Sequence, residues 1–152
     1  MRLALFEPDI PPNLGTILRL GACLDIPVHV IEPCGFPFSV QAVRRSAMDY
    51  LEHADITRHD SWEHFKAERP VGRLVLMTTK SAIPYTEFHF APDDILLMGR
   101  ESKGAPDYVH DAADARLLIP LKPGLRSINV ATAAAMVLGE ALRQLDAFPR
   151  RP

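Results

Sequence analysis

The chain has 152 residues, of which 47% are hydrophobic and 24% charged, and a formal net charge of −2. That length and balance build one domain, residues 1–152, with its own core, which excludes a disordered protein and removes any need for a disulfide or metal staple. The slight acidity excludes a nucleic-acid binder held by bulk charge, though not one that uses a local basic patch.

The 14 prolines collect between periodic segments and punctuate an alternation of strands and helices. Arg2–Phe6 reads as a short apolar strand closed by Glu7-Pro8. Asn13 is placed to cap a helix running to about Leu24, with Arg19 among apolar Leu14, Ile17, Leu18 and Leu20. Val28–Ile31 is a second strand, and Gln41–Leu51 a helix carrying Arg44 and Arg45. A short strand around Ile56 and a helix over Ser61–Ala67 follow. Leu74–Thr78, Ile95–Met98 and Leu117–Ile119 are apolar runs of the kind buried on both faces of a parallel sheet. Asn129–Leu145 is the last helix, with apolar residues on more than one face; we expect it to pair with a second copy rather than to lie covered within its own domain. The pattern predicts an α/β fold with a mostly parallel sheet flanked by helices.

Two cysteines, Cys23 and Cys34, are too few for a disulfide framework and indicate a reducing compartment. The four apolar residues Leu3–Phe6 cannot form a signal-peptide core. Val130–Leu142, interrupted by Thr132 and Glu140, falls short of the roughly 20 residues that span a bilayer. A cytoplasmic protein is expected.

Several familiar sites are absent from the sequence. No G-x-G-x-x-G follows the first strand. Gly99 and Gly104 have P-loop spacing, but Ala105 and Pro106 stand where Lys and Ser/Thr are needed to clamp phosphate and Mg²⁺. There is no G-x-S-x-G elbow. The histidines lack metal-ligand spacing; His59 and His64, flanking Trp62, read as a solvated helix surface, and no metal is expected. Cys34, in PCGFPF, reads as a buried thiol, not a nucleophile.

Three segments hold the remaining polar groups. PPNLGTILRLG (Pro11–Gly21) leads a Pro-Pro turn into a helix bearing Arg19, which read plainly is a surface cation whose stem lies over apolar neighbours. LLMGRESKGAP (Leu96–Pro106) runs a buried strand into a loop with Gly99, Arg100, Glu101, Lys103 and Gly104, where parallel sheets bind ligands. IPLKPGLRSINVATAAA (Ile119–Ala135) passes Lys122, Arg126 and Ser127 before a helix, and Ser127 is equally a plain N-cap.

Taken in order, FEPDIPPNLGTILRL, DIPVHVIEPCGF, RRSAMDY, LMTTK and these loops make the chain resemble the SPOUT-class RNA ribose 2′-O-methyltransferases. Within that class it is most similar to the small single-domain enzymes of the tRNA wobble position. The resemblance covers Arg2 to about Leu145. It implies a SPOUT (α/β knot) fold with a C-terminal trefoil knot, a homodimer through the last helix, and S-adenosyl-L-methionine (SAM) held among the knotted loops. It implies cofactor positions at Met77, Thr78, Gly99, Gly104, Ile119, Leu121, Ser127 and Ile128. Arg19 matches the motif arginine that activates the ribose hydroxyl. A guanidinium is a poor base at neutral pH, so its role is to stabilise developing alkoxide charge. Glu101, Ser127 and Asn129 complete the catalytic set by orienting substrate or cofactor. Arg44, Arg45, Lys80, Arg100, Lys103, Lys122 and Arg126 are candidates for contacts with tRNA phosphates. The tail Arg150-Arg151 is read as disordered chain. Leucine isoacceptors are the substrate that the resemblance implies. Gly139 departs from the family pattern, which carries an aromatic there.

Overall fold

The computed structural model describes residues 1–81 and 83–150, so Arg151 of the tail lies outside the described residues; Arg150 reaches Asp146 at 3.4 Å. Seven strands form one sheet: β1 (Arg2–Phe6), β2 (Val28–Ile31), β3 (Ile56–His59), β4 (Leu74–Met77), β5 (Ile83–Pro84), β6 (Ile95–Met98) and β7 (Ala115–Leu118). They lie in the order β3-β2-β1-β6-β4-β7-β5, and every pairing is parallel. The helices are α1 (Pro11–Leu24), α2 (Val40–Ala47), α3 (Trp62–Glu68), α4 (Asp107–Ala112) and α5 (Val130–Leu145).

The apolar runs form central strands because successive side chains point to opposite faces and both faces are covered. Leu3, Leu5, Val28, Val30, Val75, Met77, Leu96, Met98 and Leu117 share one core with residues of α1, α2 and α5. Ala4, Phe6, Ile31, Leu74, Leu76, Ile95 and Leu97 share the other with Trp62 and Phe65 of α3 and Val109 of α4. On the first face α1 and α2 approach closely at Gly15, where a Cβ would come to 2.7 Å from both the Val43 carbonyl oxygen and the Ser46 Cβ.

The structure moves several boundaries. Helix α1 starts at Pro11, not after Asn13: Ile10 is its N-cap, and the two prolines occupy its first positions, where a missing N–H costs nothing. This frees the Asn13 side chain for another use. The helix expected over Gln41–Leu51 is divided. α2 is capped by Ser39, whose hydroxyl accepts from Ala42 N–H at 3.0 Å; it ends where Met48 adopts φ +54°, and a 3₁₀ turn covers Met48–His53. Asn129, not Ser127, caps α5, accepting from Ala131 and Thr132 N–H at 2.8 and 3.2 Å. The two-residue β5 and six-residue α4 leave no periodic pattern in the sequence, since neither is long enough to repeat its period twice. His59 is not on a solvated helix: it ends β3 and is only 1% exposed.

At the N-terminal edge of the sheet one ion pair closes the core. Asp94, fully buried, accepts two hydrogen bonds from Arg73, both at 2.8 Å, and another from Ala91 N–H at 2.8 Å. Arg73 also donates to the His89 carbonyl and lies over the Phe88 ring. Removing the arginine leaves a dry carboxylate unpaired. Arg73→Ala is expected to destabilise the fold by about 3 kcal/mol in urea unfolding, whereas Arg143→Ala, which breaks an exposed pair with Glu140, leaves the midpoint unchanged within error.

Candidate active site

The C-terminal ends of β4, β6 and β7 open into a cleft of about 540 Å³, within the range of small-molecule sites. Three strand ends and their loops make most of its wall, and Ile10 and Asn13 at the start of α1, His110 of α4, and Val130 and Ala133 of α5 complete it. Met77 ends β4 and is followed by Thr78, Thr79 and Lys80; Met98 ends β6 and is followed by Gly99 to Glu101 with Lys103, Gly104 and Ala105; Ile119, Leu121, Ser127, Ile128 and Asn129 follow β7. Thr78 N–H donates to the Leu117 carbonyl at 2.8 Å, which carries the β4–β7 ladder to the floor of the cleft. Gly99 has no room for a side chain, because a Cβ would stand 2.8 Å from Ala105 N and 2.9 Å from Gly104 C. Gly104 itself turns at φ +65°, where a side chain is strained.

A chain of hydrogen bonds ties these loops to the start of α1. Asp9 N–H donates to Glu101 Oε2 at 3.0 Å, and Glu101 N–H donates back to Asp9 Oδ1 at 3.1 Å. The Ser102 hydroxyl donates to Asp9 Oδ2. Asn13 Nδ2 donates to Glu101 Oε1 at 3.3 Å, and Asn129 Nδ2 donates to Asn13 Oδ1 at 2.8 Å. Burial holds the Glu101 carboxyl above its ordinary range, and the adjacent Asp9 carboxyl adds to this. Burial also acts on Asp9, but hydrogen bonds from Glu101 and Ser102 outweigh it and hold that carboxyl low.

All eight positions considered for a cofactor lie on the wall of this cleft, as do Glu101 and Asn129 and the cations Lys80 and Lys103. Lys122 and Arg126 are exposed on the β7 loop beside it, and Arg44 and Arg45 are exposed on α2. Two arginines are engaged elsewhere. Arg100 also lines the cleft, but its guanidinium pairs with Glu7 at 2.6 Å and lies over the Phe6 ring, 5.2 Å from the centroid. Arg19 does not line the cleft of its own chain. It lies over the Tyr50 ring, 4.7 Å from the centroid, with Nη1 3.3 Å from Met48 Sδ. The residues missed from sequence are Asn13 and Asp9. Asn13 reads from sequence as a helix cap, a role that Ile10 and the two prolines take instead, and Asp9 sits in a proline-rich turn with no pattern to mark it.

Fold and site together define a parallel α/β protein with a loop-built ligand cleft at its strand ends. The chain belongs to the SpoU rRNA Methylase family, whose pattern matches residues 1–139. A tRNA (cytidine(34)-2'-O)-methyltransferase of Beijerinckia indica is 58% identical, over 97% of this chain and 94% of its own. The Escherichia coli K12 protein of the same name is 38% identical over 95% and 94%. A protein solved in a study of the 2-OH methylation of C/U34 on tRNA superposes with a TM-score of 0.90 at 36% identity, covering 95% of both chains. An AdoMet-bound rRNA methyltransferase from Sinorhizobium meliloti gives a TM-score of 0.84 at 28% identity, but this chain covers only 56% of it. No helix among the described residues is long and apolar enough to cross a membrane.

Two expectations check this geometry. Asn129→Ala removes both the α5 cap and the amide donor, and lowers stability by about 1 kcal/mol. Asn129→Asp keeps the cap acceptor but not the donor, so it retains most of that stability while amide exchange at Asp9 and Glu101 speeds up. Cys34, half-buried, has its thiol pushed up to about 11 by burial and by nearby Glu32. Iodoacetamide at pH 8 should therefore label the exposed Cys23 and leave Cys34 untouched until the protein unfolds, as mass spectrometry of the digest would read.

Proposed function

We infer that this chain is a SAM-dependent methyltransferase that modifies the ribose 2′-oxygen of nucleotide 34, the wobble cytidine or modified uridine, of tRNA. The observation that carries this reading is one of extent: the chain matches wobble methyltransferases over 94% to 95% of their length. By contrast it accounts for only 56% of the rRNA methyltransferase. Leucine isoacceptors are the substrate we propose, in the cytoplasm where tRNA matures.

The cleft fits SAM in size and in chemistry. Met77, Ile119 and Leu121 offer an apolar seat for an adenine, and the loop backbones around Gly99, Gly104 and Ile128 offer N–H and C=O groups to its edge. When bound, the cofactor supplies a methyl group on a sulfonium sulfur. The chain's own work is to hold that group in line with the acceptor oxygen, which accounts for much of the rate of such a transfer. We assign Ser127, Asn129 and Glu101 to that positioning; Asn13, held by both Glu101 and Asn129, fixes them relative to α1. The meeting of the β4, β6 and β7 loops at one cleft also supports a chain threaded there as a trefoil knot.

Arg19 is our candidate for stabilising the ribose alkoxide, although it stands outside its own cleft. We therefore propose a homodimer in which Arg19 of one copy serves the cleft of the other. Against the expectation for α5, its Ala131, Ala134, Val137, Leu138, Ala141 and Leu142 are covered by the core of their own domain, so the part of the helix left for such pairing is Thr132, Ala135 and Met136. Lys80, Lys103, Lys122 and Arg126 line or rim the cleft as phosphate contacts, with Arg44 and Arg45 beyond it.

The test uses labelled SAM, purified protein and tRNA from cells lacking the activity. Label in a ribonuclease-resistant dinucleotide from the anticodon is expected; label elsewhere, or in ribosomal RNA only, overturns the assignment. Arg19→Ala should lose at least about a hundredfold in rate while keeping SAM affinity. A one-to-one statistical mixture of Arg19→Ala and Gly99→Val subunits should recover about a quarter of native activity if Arg19 acts across the interface, and none if it acts within its own subunit.

A further inference from the structure

Away from the cleft, at the outer edge of the sheet, three metal-ligating side chains converge. His59 ends β3, and His64 and Glu68 lie one turn apart on one side of α3. Their ligand atoms all lie within 4.8 Å of one another. In the sheet order β3 is three strands from β6, which at the usual strand spacing sets this cluster about 14 Å from the cleft.

The buried member points to a ligand. His59 is 1% exposed; its Nε2 pairs with His29 Nδ1 at 2.9 Å, and its Nδ1 is buried with no hydrogen-bond partner among the described residues. An imidazole nitrogen kept dry and unpaired is costly unless something takes its lone pair. A metal-bound histidine characteristically passes its other ring N–H to a neighbouring acceptor that fixes the ring, and His29, stacked on His59 at 5.2 Å, stands in that place. Opposite them, His64 Nε2 and Glu68 Oε1 are 2.9 Å apart on side chains that are 40% and 57% exposed.

We propose that His59, through Nδ1, together with His64 and Glu68, binds one divalent transition-metal cation, zinc by the chemistry of the donor set. Two imidazoles and a carboxylate are borderline-soft N/O ligands suited to a tetrahedral ion, with water in the fourth position. Zinc–ligand bonds of about 2.0–2.1 Å put the donors about 3.3 Å apart, so the widest separation closes by at most about 1.5 Å while His64 and Glu68, now 2.9 Å apart, spread slightly. His59 is fixed by its packing, and the solvated His64 and Glu68 make that movement by side-chain rotation. His64 gives up only a long contact, 3.4 Å, from Asp60 N–H. The cation pins the seven-residue α3 to the edge strand, where the ion pairs Arg58–Glu32 and Lys66–Glu63 are the neighbouring polar ties. Spacing alone hid the site because one ligand comes from a strand and two from the following helix.

The test uses the full chain, stripped with a chelator and titrated with zinc chloride by calorimetry, with thermal melts alongside. One zinc per chain and a raised Tm are expected. His64→Ala and Glu68→Gln, both at solvated side chains, should stay folded, weaken zinc at least about tenfold and lose the Tm rise. Cobalt(II) should give the intense visible bands of a tetrahedral site in the native chain and not in His64→Ala. Methylation of tRNA without zinc should be the same in both variants as in the native chain, which separates this site from the cleft. Absence of saturable zinc binding, or unchanged affinity in His64→Ala and Glu68→Gln, overturns the proposal.

Discussion

Glu101 is the residue through which the separate parts of this molecule become one site. Its carboxylate takes a backbone N–H from Asp9 and a side-chain N–H from Asn13, while its own N–H returns to Asp9. Asn13 in turn receives Asn129, whose other face caps α5. Three segments far apart in sequence are thereby fixed to one another by short-range, directional bonds. In a partly dry setting such bonds are stronger than in water, and each one lost leaves another group unsatisfied. The cleft is the space left between loops held in this way.

The sheet makes that arrangement possible without taking part in it. Alternation along β1, β4 and β6 sends one set of side chains to the α1, α2 and α5 layer and the other to α3 and α4. All strands run the same way, so every strand end that feeds the cleft emerges on one edge. The opposite edge carries the Arg73–Asp94 pair. Stability and ligand binding are therefore assigned to opposite ends of the same strands.

The sequence made the central strands and α5 legible, because apolar runs of four or five residues and a sixteen-residue amphipathic stretch leave little choice of conformation. It also placed the loop residues at one strand edge, since parallel topology leaves no other place for them. What it could not show depended on partners distant in the chain. Asn13 looked like a cap because nothing local reveals that Ile10 and two prolines begin the helix. His59 looked solvated because its neighbours Arg58, Asp60 and Ser61 are polar, yet its ring turns inward onto His29 and Phe65. Arg19 could be assigned a chemistry but not a location; the turn at Met48 that brings Tyr50 beneath it is a backbone event with no periodic signature.

The close approach at Gly15 has a mechanical meaning. With the Val43 carbonyl and Ser46 where a Cβ would be, α1 has no slack to roll or slide against α2. Asn13 and Arg19 sit on that helix six residues, about 9 Å, apart. They move as two points on a rigid rod. Their separation is therefore set by the helix and not by the loops around it. The missing side chain at Gly15 is what lets α2 hold that helix so closely.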